Sequence, residues 1–359
     1  MINILEFFNN AFSSVSNLWS NVWPYLVAIL LFIILILIHE FGHFISAKLL
    51  GVRVNEFAIG FGPKLFSKKW GETTYMLKLI PLGGYCAMEG EDETSADSRA
   101  FCNKAAWRRF LIVVMGAVFN LILGFIIVMI ILAPTKTFAT TTIAEFSQDA
   151  SSQQSGLMVN DEILEVDGRT IFSTYDLSYA FTNVKDGKVD ITVLRDGKEK
   201  LLRDVTFETE TYEGMDFLTV DFKVYGEEKT FGSYLKNAAK TSMSYTAVIW
   251  RSFIDLIGGK YGISAVSGPV GVTVVIANAA KQSLQSLLPL MAFISINLGI
   301  FNLLPIPALD GGRLMFILFE MIFRKPVPQK YESWVHTIGF ILLLGFMVLI
   351  LAKDIIALF

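Results

Sequence analysis

The stretch LFIILILIHEFGHFISAKLL, residues 31–50, places three polar residues inside a run of apolar residues that is long enough to cross a lipid bilayer. Burying His39, Glu40 and His43 in hydrocarbon is costly unless each group finds a partner. On a helix, two imidazoles four residues apart project from one face, so His39 and His43 can hold one Zn²⁺. Glu40 lies beside them, where it can accept a proton. The pattern H-E-x-x-H therefore predicts a metal centre within a membrane helix.

The whole chain has the composition of a membrane protein that carries a soluble domain. It contains 359 residues, of which 53% are hydrophobic, and its formal net charge is -3. This is more apolar than a typical soluble protein, yet charged segments are present. Because the net charge is small and the Lys and Arg residues are scattered, we expect no nucleic-acid partner.

Four segments are apolar and long enough to be considered as spans, and they predict an α-helical polytopic membrane protein with about four transmembrane helices. The segments are 24–50, 111–133, 287–304 and 335–351. The third is the shortest and ends at Pro305. We expect the residues before Pro24 to lie at the membrane interface or to be disordered, and the first span to be retained because no Lys or Arg precedes it.

The charges of the connecting loops predict the orientation of these spans. Between Lys48 and Arg109 there are ten Lys or Arg residues and seven Asp or Glu residues, and further basic residues lie between the last two spans. The positive-inside rule places both loops in the cytoplasm. The termini and the segment 134–286 are then extracytoplasmic, and the metal centre lies toward the cytoplasmic side.

The sequence divides into four predicted parts. Residues 1–133 form an N-terminal membrane half with a cytoplasmic-side β-hairpin, and residues 134–228 form an inserted extracytoplasmic α+β domain. Within that domain, alternating strands flank Asp196-Gly197, a dipeptide typical of hairpins. Residues 229–286 form a linker whose amphipathic helix, 231–260, is interfacial or spanning. Residues 287–359 form the C-terminal membrane half.

The inserted domain carries SGLMVNDEILEVDGRTI, residues 155–171, which resembles the core of PDZ domains. Asn160 stands where that family usually has Gly, and Asn tolerates a positive φ better than most residues. A PDZ domain can bind a peptide as an added strand. The alternative is a domain that only screens the entrance to the membrane site.

Two histidines leave a catalytic zinc site short of one protein ligand. His336 is the only other histidine, but it lies at the start of the last predicted span, where a histidine is unremarkable. Asp310 follows the apolar segment that Pro305 and Pro307 interrupt. It could cap a helix from 312 to 323, but beside H-E-x-x-H the ligand role is favoured.

Several motifs together resemble the site-2 protease family of M50-type intramembrane zinc metalloproteases, and more closely its bacterial RseP/RasP-type members with a PDZ insertion. They are the H-E-x-x-H run, IGFGPKLF (59–66), LIPLGGYCAMEGE (79–91), SGPVG (267–271) and NLLPIPALDGG (302–312). The resemblance implies that His39, His43 and Asp310 hold one Zn²⁺ and that Glu40 is the general base. Two departures stand out: Ala117 replaces a proline of many relatives, and the length allows one PDZ domain.

The resemblance also implies a function and partners. Such enzymes act in the bacterial cell (inner or plasma) membrane on single-span proteins, such as anti-sigma factors or signal-peptide remnants, after a prior extracytoplasmic cut. This is regulated intramembrane proteolysis. A scaffold with a structural metal site and a metal-ion transporter are the alternatives, although a structural site has no need for Glu40 beside the ligands.

The substrate must reach the metal as an extended strand, because a helix offers no free backbone groups. Asn302 and Asn120 are candidate substrate-binding or oxyanion groups. A strand edge for the substrate is predicted in the hairpin at Tyr75, Met76, Leu77, Lys78 and Leu79. The alternative is a hairpin that only anchors its loop at the interface through aromatic residues.

Overall fold

The computed structural model describes residues 4–91, 93–182, 184, 186–212, 215–259 and 266–356. The chain divides into two compact units, one made of Met1–Gly124 with Tyr261–Phe359 and the other of Phe125–Lys260. The four parts predicted from the sequence, with boundaries after 133, 228 and 286, stay predictions.

In chain order the helices and strands are α1 (Ile4–Leu49), β1 (Val54–Trp70), β2 (Thr73–Met88), α2 (Ala106–Leu132), β3 (Thr137–Phe146), α3 (Ser151–Gln154), β4 (Glu162–Val166), β5 (Arg169–Thr170), α4 (Thr174–Ala180), β6 (Lys188–Arg195), β7 (Lys198–Thr206), β8 (Thr209–Tyr212), β9 (Met215–Leu218), β10 (Phe222–Glu228), α5 (Phe231–Ile257), α6 (Pro269–Gln282), α7 (Leu287–Leu303), α8 (Asp310–Phe323) and α9 (Gln329–Ile356). A short 3₁₀ helix, Phe101–Asn103, precedes α2.

Three of the described helices are long and apolar enough to cross a membrane: Trp19–Leu49 within α1, all of α2, and Lys330–Ile356 within α9. Helix α7 is apolar but has 17 residues. At a rise of about 1.5 Å per residue it spans about 26 Å, less than the ~30 Å hydrocarbon core. The protein is therefore a membrane protein with a β-rich domain, and a fourth span remains a prediction.

Helix α1 begins far earlier than the sequence suggested. It runs from Ile4 and continues through Pro24, so the segment before Pro24 is helical and the disordered alternative is wrong. Its position at the membrane interface stays a prediction. Proline removes one backbone hydrogen bond from a helix interior but does not oblige the helix to end there. The apolar part of α1 packs Leu31 and Leu35 against Ile276 and Ala280 of α6 in the first unit.

The predicted β-hairpin is present as β1 and β2, but it is folded back on itself. Residues 56–59 of β1 pair on one side with residues 74–77 of β2 and on the other side with residues 84–87. Residues 66–69 pair with the remaining side of 74–77. The stretch 74–77 is therefore an inner strand. Residues 84–88, which we call the edge strand, have no strand partner on their outer side among the described residues.

The second unit contains a sheet with the order β10-β3-β4-β6-β7, and β5 pairs with β4. The predicted turn at Asp196-Gly197 is confirmed, because both residues have positive φ (52° and 73°) and β6 pairs with β7 directly before and after them. Asn160 also has a positive φ, 73°, as expected of a residue in the place of glycine. Fully buried Ile143, Ile163 and Ile191 lie in the core.

Helix α5 confirms the helix predicted after the β-rich domain. It begins behind Thr230, whose hydroxyl accepts the Ser233 N–H at 3.1 Å, and it ends at Ile257. Despite its 27 residues it is not among the described helices that are apolar enough to cross a membrane. Its buried side chains include Tyr245, Val248 and Ile249. Its interfacial position stays a prediction.

Candidate metal centre

Helix α1 and the first residue of α8 bring three candidate ligands together. The Nε2 atoms of His39 and His43 are 3.2 Å apart, and Oδ2 of Asp310 lies 3.1 Å from each of them. One helical turn separates the two histidines, so both rings leave α1 on the same side. Both histidines are buried, at 7% exposure each.

The chain between α7 and α8 explains how Asp310 reaches the histidines. Pro305 and Pro307 prevent α7 from continuing. Ala308 has a φ of 74°, and Gly311 approaches the end of α7 so closely that a Cβ there would lie 1.9 Å from the Leu304 carbonyl oxygen. Asp310 is thus the first residue of α8, and Leu309 holds the N-cap position. Asp310 therefore does not occupy the N-cap position of this helix, which was the alternative to its role as a ligand.

The donor set fits zinc. Ligands about 2.0–2.1 Å from a tetrahedral zinc are about 3.3 Å from one another, close to the 3.1–3.2 Å between the three atoms here. Oδ2 of Asp310 is buried and accepts no hydrogen bond from the described residues. Two imidazole lone pairs and a carboxylate oxygen that converge in this way need a cation between them.

The other ring nitrogen of each histidine is also held. Nδ1 of His43 lies 2.9 Å from the Ile112 carbonyl oxygen and must be protonated to donate to it. Nδ1 of His39 lies 3.2 Å from Nδ2 of Asn120, whose amide oxygen has no hydrogen-bond partner among the described residues. With Nε2 turned to a metal, Nδ1 carries the proton and needs an acceptor, and a flip of the Asn120 amide, which exchanges its oxygen and nitrogen, supplies one.

The structure places Asn120 against a candidate ligand. Its side chain is fully buried, at 0% exposure, and contacts His39, so it can orient that ring. Its predicted role as a substrate-binding or oxyanion group stays a prediction. The backbone oxygen of Asn120 in turn accepts the Ser295 hydroxyl at 2.7 Å, which fixes this turn of α2.

Glu40 and the edge strand line the cavity that opens onto the three ligands. The cavity has a volume of about 290 Å³. Its lining includes Glu40, which is partly exposed, and residues Tyr85, Cys86, Ala87 and Met88. Burial raises the pKa of the Cys86 thiol, so the thiol facing this cavity is neutral. The metal cluster of described residues is His39, His43 and Asp310, without a cysteine.

Gly116 of α2 lies against both imidazole rings of the candidate metal centre, where there is no room for a side chain. A Cβ on Gly116 would lie 2.3 Å from Nε2 of His43 and 2.8 Å from Cε1 of His39. Gly42 on α1 similarly faces the Met115 carbonyl oxygen, at 2.3 Å from a hypothetical Cβ. The two helices approach so closely that only glycine leaves room for the imidazoles.

We expect Gly116→Ala to weaken zinc binding by about 10- to 100-fold, because the added methyl displaces rings that the Ile112 carbonyl oxygen and the α1 backbone hold in place. The measurement is zinc retained by the purified protein during competition with a chelator. Gly345→Ala on α9 is the matched control, since nothing lies within 4 Å of its Cβ. Equal zinc retention in the two variants would contradict the prediction.

Two other candidate residues, His336 and Asn302, lie outside the metal cluster and the cavity lining. His336 accepts the Ala308 N–H on Nδ1 at 3.1 Å and is not part of the metal cluster. Asn302 is half-buried in the last turn of α7 and is not among the described residues lining the cavity, so its role stays a prediction.

The predicted substrate edge at residues 75–79 does not fit Tyr75, Met76 and Leu77, which lie in an inner strand, and for Lys78 and Leu79 it stays a prediction. Tyr75, Met76 and Leu77 have strand partners on both sides, and Lys78 is opposite Lys64 and donates to the Tyr85 hydroxyl at 2.8 Å. The strand 84–88 instead contributes residues 85–88 to the lining of the cavity beside the three candidate ligands. The sequence contained its motif, but the order of strands in a sheet depends on long-range pairing that alternation alone does not specify.

Comparisons with known proteins agree with this geometry. The model of peptidase family M50 matches residues 27–346. A protein named "putative zinc metalloprotease" from Clostridium perfringens is 39% identical over 333 residues, covering 92% of this chain and 97% of that protein. Proteins with the same description from Clostridium acetobutylicum (36%, 92% and 96% covered) and Campylobacter jejuni (32%, 92% and 93% covered) are also similar. The chain belongs to peptidase family M50, the site-2 protease family, and is a zinc metalloprotease.

Proposed function

We propose that this protein cleaves single-span membrane proteins within the bacterial cell membrane, after an earlier extracytoplasmic cut, as part of regulated intramembrane proteolysis. Anti-sigma factors and signal-peptide remnants are the expected substrate classes. The observation that carries this proposal is the cluster of His39, His43 and Asp310, two of whose members lie in the apolar segment Trp19–Leu49. Polar side chains within a membrane-spanning segment cost free energy, which binding of a metal ion would offset.

The residues around the metal can divide the work of peptide hydrolysis. A bound zinc ion would acidify water and polarise the scissile carbonyl. Glu40 would take the proton of the attacking water and return it to the leaving amide nitrogen. His39 and His43 would keep Nε2 free of a proton. The Ile112 carbonyl oxygen accepts the Nδ1 proton of His43, and the oxygen of a flipped Asn120 amide would accept that of His39.

The proposed orientation places this chemistry near the cytoplasmic face. Thirteen residues from 26 to 38, all of them apolar, precede His39 in α1. With the positive loops in the cytoplasm, α1 runs inward, and the termini and the β-rich domain are extracytoplasmic. The lipid bilayer is then a permanent partner of the helices. Cysteine labelling of single-cysteine variants on each side of intact cells tests the orientation.

We also propose that the β-rich domain is a PDZ domain. The support is its sheet with α4, together with the positive φ of Asn160 in the segment that resembles the family. The domain could have one of two roles: it binds a peptide ligand, or it screens access to the membrane site. Deleting residues 134–228 and comparing cleavage of trimmed and untrimmed substrates distinguishes them, because screening predicts that the untrimmed substrate is now cut.

The edge strand is the proposed template for the substrate. It lines the same cavity as the candidate ligands, and its outer side has no strand partner among the described residues. Its last residue, Met88, donates its N–H outward to the Glu91 carboxylate at 3.2 Å. Because alternate residues of a strand direct their N–H groups to the same side, the Cys86 N–H also faces outward. An extended substrate can pair with that group.

We therefore expect Cys86→Pro to lower kcat/KM for a membrane substrate by about 10-fold, because it removes one outward N–H from the pairing edge. Cys86→Ala, which keeps that N–H, is the matched control and should stay within about twofold of wild type. Zinc content is measured in both variants. Wild-type kcat/KM in Cys86→Pro would remove the template role and leave the metal centre unaffected.

The proposed function itself is tested with purified protein in lipid vesicles. A single-span membrane protein is added in two forms, intact and trimmed on its extracytoplasmic side, and the products are measured by mass spectrometry. We expect cleavage inside the membrane segment of the trimmed form, and loss of cleavage after chelation of zinc. Zinc transport into the vesicles without cleavage would instead favour a transporter.

A further inference from the structure

Helix α8 takes part in ion pairs near both of its ends, and the one near its start lies beside the candidate metal centre. Arg313 pairs with Glu91, and Glu320 pairs with Arg109. The side chains of the first pair are 22% and 20% exposed, so water screens them less than it screens a surface pair. This pair belongs to the first compact unit.

The Arg313–Glu91 pair connects the helix that carries a ligand to the strand that lines the cavity. Arg313 is three residues after Asp310 on α8, and both line the same cavity, as does Glu91. While Oε1 of Glu91 pairs with Arg313, Oε2 accepts the backbone N–H of Met88. One carboxylate thus joins α8 to the last residue of the edge strand.

The two residues before Glu91 are held in place by close contacts and hydrogen bonds. Gly90 has a φ of 64°, and a Cβ there would lie 2.8 Å from Cβ of Ala100. The Phe101 N–H donates to the Glu89 carbonyl oxygen at 2.7 Å, and the Glu89 carboxylate accepts from the Asn55 amide at 2.8 Å. Glu91 is therefore presented to Arg313 from a rigid support.

We propose that Arg313 and Glu91 are positioning residues that hold the edge strand in register with the metal ligand Asp310. The inference rests on the proposed function, because it concerns how a substrate on that strand is aligned with the metal. When the pair is broken, the strand can still bind a substrate. The scissile carbonyl of the substrate is then displaced from the metal centre. A displacement of about 1 Å can lower the rate about 100-fold.

The test compares Glu91→Gln and Arg313→Gln with wild type on a trimmed single-span substrate in vesicles. We expect kcat to fall by about 10- to 100-fold while KM changes by less than about threefold and the zinc content is unchanged. The double variant should be no worse than the single variants, because each already breaks the pair. Arg313→Lys, which keeps the charge but not the planar fork, should be intermediate.

Arg109→Gln and Glu320→Gln provide the matched control. They break an ion pair of the same helix with similar exposure, 15% and 19%, and neither residue is among the described residues that line the cavity at the candidate metal centre. Their kcat should remain within about twofold of wild type. Such a difference between the two pairs excludes a general effect of losing charge on α8.

Three results would overturn the inference. If Glu91→Gln and Arg313→Gln had the kcat of wild type, alignment of the substrate with the metal would not need the ion pair. The proposed function would still stand, because the wild-type protein cleaves the substrate. Loss of zinc in these variants would mean that the pair maintains the metal centre and not the register of the strand. Absence of cleavage by the wild-type protein would remove the proposed function, and this inference with it.

Discussion

Replacing Glu40 with Gln is expected to reduce peptide cleavage by about 10²- to 10⁴-fold while bound zinc is retained. Glu40 lines the cavity next to His39, His43 and Asp310 but is not part of the metal cluster. The amide of Gln has nearly the same shape as the carboxylate and cannot accept the proton of the attacking water. The ligands stay in place, so the loss is confined to kcat.

The measurement is kcat on a trimmed single-span substrate, with zinc content determined on the same preparation. Glu145→Gln is the control, because its carboxylate is exposed and pairs only loosely with Lys223 at 3.3 Å in the other unit. Cleavage at the wild-type rate in Glu40→Gln would exclude Glu40 as the base. A stable complex of Glu40→Gln with its substrate would also identify the natural substrates in cells.

Replacing Asp310 with Ala is expected to remove zinc and reduce cleavage below detection. Asp310 supplies the oxygen that lies 3.1 Å from both imidazole nitrogens, and no other described carboxylate, cysteine or histidine belongs to this cluster. Two imidazoles alone leave a catalytic zinc short of the three protein ligands that such sites have. Added zinc should restore activity poorly, because the missing donor cannot be replaced by water alone.

The control for this prediction is His336→Asn. His336 was the competing candidate for the third ligand, and the structure has its Nδ1 accepting the Ala308 N–H instead. Asn keeps an acceptor near that position, so zinc content should equal that of wild type. Zinc loss in His336→Asn with zinc retention in Asp310→Ala would reverse the assignment and contradict the account of the metal centre.

The sequence was most informative where the pattern is local. The four-residue spacing of His39 and His43 depends only on helix geometry, and the structure places their Nε2 atoms 3.2 Å apart. The positive φ values of Asn160 and Asp196 follow equally from local turn chemistry. A single helix or turn contains everything that these predictions need.

The sequence was least reliable where several segments pair. Polar and apolar alternation indicated strands near 75–79, but the neighbours of those residues depend on how β1 and β2 fold back. Asn120 illustrates the same limit, because its residue type suggested a substrate-binding or oxyanion role and only the structure shows its buried side chain against His39. The predicted first span began at residue 24, whereas helix α1 continues through Pro24.

The sequence by itself determined that this is a membrane protein with a histidine pair and an adjacent carboxylate on one helix, and it singled out Asp310 by residue type. Only the tertiary structure decided that Asp310 lies 3.1 Å from both imidazoles and that residues 84–88 form the open edge beside them. The reason is physical: helix periodicity is encoded within a few residues, whereas the approach of α8 to α1 and the order of strands arise from packing between segments far apart in the chain.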